Sequence, residues 1–168
     1  MPLIRDGRFT HDDWLRLEDN TASPAGGGKL LLPFDRLEAG GAALADAGPR
    51  LGVEIANSIA PDSLTPWLPR LDLISILFPK SADGRGFSMA RRLRRLGFKG
   101  ELRATGHLIP DQYALALSCG FDTVEISDAL AVRQPEAHWR EASRAMSWAY
   151  QTGSNAQRSI LAARWGTA

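Results

Sequence analysis

The amino-acid sequence predicts an α/β fold in which an open, mostly parallel sheet is covered by helices on both faces. From Lys29 onward, short apolar runs alternate with amphipathic stretches to give five strand-helix pairs, the pattern of strands joined by crossover helices. Several of the amphipathic stretches stop at a glycine, as at Gly48-Pro49, Gly97 and Gly120, where a helix ends most readily. Ahead of these units, Asp6-Gly7 lies between Leu3-Ile4 and Arg8-Phe9 and predicts a small N-terminal hairpin. A complete eight-unit barrel uses about 250 residues, and this chain has 168, so an open sheet is expected, with a partial (β/α) barrel as the alternative.

The elements follow in order. Residues 1–28 form the hairpin and a flexible loop, because Asp19 to Gly28 is Asn, Thr, Ser, Pro, Ala and glycine and cannot pack a core. The α/β core spans 29–133. Its strands are Lys29 to Pro33, Leu51 to Ala56, Leu71 to Phe78, Glu101 to Thr105 and Asp122 to Ile126. The third is the most apolar and reads as a central strand buried on both faces. Helices are predicted from Asp35 to Ala47, in a short piece near Ser63, from Phe87 to Leu96 and from Pro110 to Ser118. In the Phe87 helix, Met89, Ala90, Leu93 and Leu96 share one face while Arg91, Arg92 and Arg95 point away. Residues 134–168 form a C-terminal helix, Pro135 to Gln151, and an arm; the whole chain is one domain.

Composition narrows the function classes. Hydrophobic residues make up 44% and charged residues 23%, the balance of an ordinary globular protein. With no apolar run suited to a signal or a membrane span, a cytoplasmic location without membrane contact is expected. A net charge of +1 gives no overall attraction to nucleic acid, and the Arg91, Arg92, Arg94, Arg95 group reads as a solvated helix face. Cys119 is the single cysteine, so a cysteine-built zinc or iron-sulfur site is excluded and no metal site is assigned. Placed at a helix end, its thiol reads as packing.

In parallel α/β sheets ligands gather beyond the carboxyl ends of the strands. The loops there hold Asp35, Asn57, Ser58, Ser127 and Asp128, and polar groups concentrate after the third and fourth strands. Lys80, Asp83, Gly84, Arg85 and Gly86 lead into a helix, so a lysine, an arginine and two glycines are placed to hold a small anion against its N-terminus. Equally, Asp83 or Gly86 caps the helix while Lys80 and Arg85 face solvent. Arg103, charged and inside a strand, needs an anion or a carboxylate and joins this group, although pairing with Glu101 on its own face is the other reading. A second candidate set is His107, Asp111 and Gln112, with the histidine as acid, base or ligand. Trp139, Trp148 and Trp165 with Arg140, Arg144, Arg158 and Arg164 suit either a docking surface, including homo-oligomerisation through the arm, or closure over the domain's own core.

Phe78-Pro79-Lys80, Asp83-Gly84-Arg85-Gly86, Gly100-Glu101-Leu102-Arg103-Ala104, Asp111-Gln112 and Cys119-Gly120-Phe121-Asp122 occur in that order. Through them the chain resembles an uncharacterised bacterial family, domain of unknown function 934, over most of Leu30 to Ile126. It departs from that pattern at His107, where aspartate is usual, and at Pro110, where arginine is usual. The resemblance implies a link to assimilatory sulfite reductase, beside which the family is typically encoded. It also implies a role either as an accessory protein binding a reductase component or as an oxidoreductase of sulfur assimilation with an unrecognised cofactor. The cofactor is unknown: the glycine spacing matches neither a dinucleotide fingerprint nor a Walker loop. That pattern favours the accessory role.

Overall fold

A computed structural model describes residues 1–17, 28–46 and 50–150. Two antiparallel strands open the chain, β1 (Leu3–Arg5) and β2 (Arg8–Thr10). Asp6 and Gly7 join them with φ of 51° and 73°, the left-handed pair that the Asp-Gly turn predicts. Gly7 answers a second demand, since a Cβ there would meet the Arg140 backbone at 2.8 Å. Its amide donates to the Tyr113 hydroxyl at 3.0 Å, which fastens the turn to the body of the domain.

Six parallel strands follow: β3 (Trp14–Arg16), β4 (Lys29–Pro33), β5 (Arg50–Ala56), β6 (Leu71–Phe78), β7 (Glu101–Gly106) and β8 (Thr123–Glu125). The helices are α1 (Phe34–Asp46), α2 (Arg85–Arg95), α3 (Tyr113–Ser118), α4 (Asp128–Arg133) and α5 (Glu136–Tyr150). All five predicted strands are present. Sequence reasoning missed β3 and α4, and the Pro110 helix begins as a 3-10 turn, Pro110–Gln112, before α3.

The spatial order of the sheet is β2-β1-β8-β7-β6-β5-β4-β3, so the parallel strands lie side by side in chain order. When every right-handed crossover steps in the same direction, its helices accumulate on one face and the sheet curls around the other. The expected open, mostly parallel sheet therefore takes its partial-barrel form, an eight-stranded half-barrel closed at neither edge. Helices on both faces are not what this order produces. Leu37, Phe87, Met89, Ala90, Leu93, Tyr113, Ala116, Leu130 and Trp139 all join a single apolar cluster with Val53, Ile55, Ile74, Ile76, Phe78, Leu102, Ala104 and Val124.

A bulge keeps this division between faces intact. Leu51 pairs with Leu71 and Gly52 with Leu73, leaving Asp72 as the additional residue of β6. Leu71 and Ile74 thereby both face the helices, while Leu73 and Ser75 turn to the concave side. Trp139 is fully buried, packs edge-on to Tyr113 at 5.7 Å and donates from Nε1 to the Gln134 carbonyl at 3.1 Å. It closes over the core and is not part of a docking surface. Trp165, Arg158, Arg164, residues 19–27 of the predicted loop and the helix stop at Gly48-Pro49 lie outside the described residues, as does the side chain of Trp148. Among the described residues no helix is long and apolar enough to cross a membrane.

The Tyr113 hydroxyl is the hairpin's buried anchor. Changing Tyr113→Phe removes the acceptor while keeping the ring, and leaves the Gly7 amide unpaired. A loss of about 1–3 kcal/mol in urea-unfolding stability is expected, and an unchanged midpoint would show that the contact carries nothing.

Candidate functional site

The loops at the carboxyl ends of β6 and β7 are tied together. His107 donates its amide to the Phe78 carbonyl at 2.9 Å, and Gln112 Nε2 donates to the Ser81 carbonyl at 2.7 Å. Gln112 Oε1 also accepts from the Ile109 amide at 3.3 Å, so one side chain holds both loops. Sequence proximity suggested a joint chemical role for His107, Asp111 and Gln112. The structure instead gives Gln112 a bracing role and leaves His107 and Asp111 exposed.

Within the first loop, Arg85 is already engaged. Its Nε and Nη2 bind the two Asp83 oxygens at 2.9 and 2.7 Å, and its amide donates to Asp83 Oδ1 at 3.2 Å. Asp83 thus both caps α2 and neutralises Arg85. The Arg85 guanidinium, with a smaller contribution from neighbouring Asn57, holds the Asp83 carboxyl well below the usual carboxylate range. Asn57 is 7% exposed and its buried Nδ2 makes no hydrogen bond. Lys80 is exposed, and among the described residues no ion pair engages it. Gly86 has a packing duty: a Cβ there would run into the Phe78 ring, which contacts Phe87 and Phe121 at centroid distances of 5.1 and 5.9 Å. Glycine at this position lets α2 sit against the sheet.

Arg103 lies elsewhere. It pairs in register with Ser75, three residues before the end of β6, and points to the concave face, away from the Lys80 loop. There the guanidinium is 0% exposed and is surrounded by three carboxylates. Asp12 meets it at 2.6 and 2.9 Å, Glu101 at 3.3 Å and Glu125 at 3.4 Å. Burial alone would pull its pKa down, but the hydrogen bonds and charge of Asp12, with Glu101 and Glu125, outweigh burial and raise it. The network extends through hydroxyls: Ser75 and Thr105 share a bond of 2.8 Å, Thr105 donates to Glu125 at 3.2 Å and Thr123 donates to Glu101 at 2.7 Å.

Arg16 closes this network from β3. Its Nη2 donates to both Glu125 oxygens, at 3.3 and 3.0 Å, and lies 2.9 Å from Glu54 Oε2. With its hydrogens directed at Glu125, it gives Glu54 Oε2 charge proximity but no hydrogen bond. Desolvation of Glu54 therefore prevails over the attraction of Arg16, and its pKa stands above the ordinary value. Sequence reasoning overlooked Glu54, Asp12 and Arg16. The one available signal was a glutamate inside the apolar run Leu51 to Ala56, which poses the same problem as Arg103 in β7.

Two further clefts flank this network, and the first of them reaches its Glu101. One of about 840 Å³ opens at the amino ends of the strands, with Lys29, Arg50, Asp72 and Lys99 in its lining. It sits at the opposite end of the sheet from the Lys80 loop. The other, about 740 Å³, lies between the Pro110 turn and α5 and includes Asp111, His138 and Glu141. Among the described residues no group of three or more histidine, cysteine or acidic side chains is placed to hold a metal ion.

A raised folded-state pKa at Glu54 means that the protonated form is the one folding favours. Its stabilising contribution is complete below the unfolded value near 4.5 and is lost as pH rises through the higher folded value. Glu54→Gln keeps the uncharged shape at every pH. Thermal unfolding from pH 4 upward is expected to show the variant gaining on the wild type as pH rises, and parallel curves would contradict the assignment.

A family described as "Bacterial protein of unknown function (DUF934)" matches residues 52–161. No curated protein matches the chain. Of solved structures, one described as "Native KDPGal structure" aligns at 12% identity and a TM-score of 0.28, over 76% of this chain and 84% of its own. Another, a cube-shaped porous protein cage designed by fusing symmetric oligomeric domains, aligns at 13% identity and a TM-score of 0.29, over 84% and 69%. At these values neither likeness bears on fold or function.

Proposed function

The chain belongs to this bacterial family of unknown function, and from that premise we propose that it is a cytoplasmic accessory protein of assimilatory sulfite reduction. In this reading it binds a component of the reductase and takes a small anion at the carboxyl end of its sheet. The observation that carries the proposal is the braced pair of loops. Gln112 fixes the Ser81 backbone at 2.7 Å, which holds exposed Lys80 on the rim just ahead of α2. A sulfur oxyanion, or an acidic side chain of a partner, would find there a lysine ammonium beside the N-terminus of an 11-residue helix whose first amide is taken by Asp83. The pathway comes from the resemblance of Phe78-Pro79-Lys80, Asp83-Gly84-Arg85-Gly86 and the later motifs to the family encoded beside the reductase.

The residues divide the work unequally. Lys80 supplies the available charge, whereas Arg85 contributes only to the extent that Asp83 releases it. Arg103 belongs to the concave network and does not join this anion site.

Deletion of the gene is expected to impair growth on sulfate and sulfite but not on sulfide, and purified protein should restore sulfite reductase activity to the mutant extract. Normal growth on sulfate would defeat the pathway assignment. Purified protein that alone oxidises a nicotinamide cofactor with sulfite would replace the accessory role by an oxidoreductase. Calorimetric titration with sulfate and sulfite tests the anion site separately. Changing Lys80 and Arg85 together to alanine is expected to weaken binding by about two- to fivefold, the effect of losing an exposed ion pair to the ligand, and equal binding would remove the site.

A further inference from the structure

The three carboxylates around Arg103 are not equivalent. Glu101 and Glu125 are fixed in the wall of the half-barrel, on β7 and β8, and approach no closer than 3.3 and 3.4 Å. Asp12 arrives from outside the wall, in the irregular stretch between β2 and β3. Both of its oxygens meet the guanidinium, at 2.6 and 2.9 Å. This two-point, charge-assisted contact is how a guanidinium recognises a free carboxylate.

Solvent reaches Asp12, whose side chain is 22% exposed, while Arg103 behind it is fully buried. A cleft of about 450 Å³ opens over the Asp12 side of the contact, with Thr10, His11, Asp12, Trp14, Arg16 and Glu125 in its lining and Arg103 behind Asp12. A second guanidinium, Arg16, therefore lines the cleft that Asp12 separates from the buried Arg103. Withdrawal of Asp12 breaks no strand ladder, because Asp12 precedes β3. It gives up the 3.3 Å contact from the Trp14 amide, while buried Leu17 and the Lys29–Asp13 pair at 2.6 Å keep β3 in place. With Asp12 aside, Arg5, Arg16 and Arg103 face Glu101, Glu125 and Glu54.

We propose that this cleft is a binding site for a small carboxylate, held by two-point contact to Arg103 and flanked by Arg16, and that Asp12 fills the seat when no ligand is present. The site is separate from the Lys80 loop and does not depend on the sulfite reading. A ligand must compete with a tethered carboxylate, so its apparent affinity is reduced by the fraction of molecules in which Asp12 is withdrawn.

The test is titration of the ¹⁵N-labelled full chain with acetate, with chloride and sulfate as controls, on the wild type and on Asp12→Gly. Saturable shifts centred on Trp14 and Arg16 are expected in both proteins with acetate, about tenfold tighter in the variant, and not with either control. Uptake by the variant alone would make Asp12 and Arg103 a structural ion pair and overturn the proposal, as would no binding by either. Sulfate binding equal to acetate would overturn the carboxylate assignment. If Asp12→Gly does not fold, Asp12→Asn takes its place, and the wild-type titration still decides: no shifts at Trp14 and Arg16 would refute the site.

Discussion

Burying the Arg103 guanidinium in the wall of the sheet is the constraint around which much of the molecule is arranged. A charge removed from water must be matched by opposite charge and hydrogen bonds, or its desolvation costs several kcal/mol. Glu101 two residues earlier on β7, Glu125 on the neighbouring strand and Asp12 from the N-terminal segment supply that match. The requirement fixes where the N-terminal segment crosses the sheet. It also shapes the concave face around it: with Ser75, Thr105 and Thr123 as hydroxyl relays, the surroundings of Arg103 are polar where a closed barrel would stack branched apolar side chains.

That polar face and the apolar face behind it divide the labour. Behind the sheet, Phe78, Phe87 and Phe121 interlock at 5.1 to 6.3 Å, and Gly86 brings α2 close enough for them to do so. The rigidity of the Lys80 rim comes from this packing and from the Gln112 brace. On the concave side the ties are ion pairs and hydroxyl bonds, which can exchange partners without opening the apolar core. A ligand at the rim therefore meets a braced surface. One on the concave face meets a carboxylate that can be exchanged.

Most strands were legible as runs of β-branched or large apolar residues with a turn signal nearby, as in Leu71 to Phe78. β3 was not. Trp14-Leu15-Arg16 is too short to show a period, Leu15 is 49% exposed and the segment gains its strand character only by pairing with Lys29 to Leu31. α4 escaped for a similar reason, being six residues after the Ser127 cap, whose hydroxyl accepts from the Leu130 amide at 3.2 Å. The Lys80 and Arg103 motifs looked like one anion cluster because both carry unexplained cations. In the fold their side chains serve different faces of the domain.

By itself the sequence determined the local matters: the Asp6-Gly7 turn, the five core strands and the parallel α/β class. Each is set by neighbours along the chain, through backbone sterics and the period of apolar residues. Only the tertiary structure decided the order in which the strands lie, the gathering of the helices on one side and the partners of Arg103. Asp12 and Arg103 are separated by 91 residues, and no periodicity spans that distance. Their meeting follows from the curl of the sheet, which brings the N-terminal segment across its concave face, and from the cost of leaving a buried guanidinium unmatched.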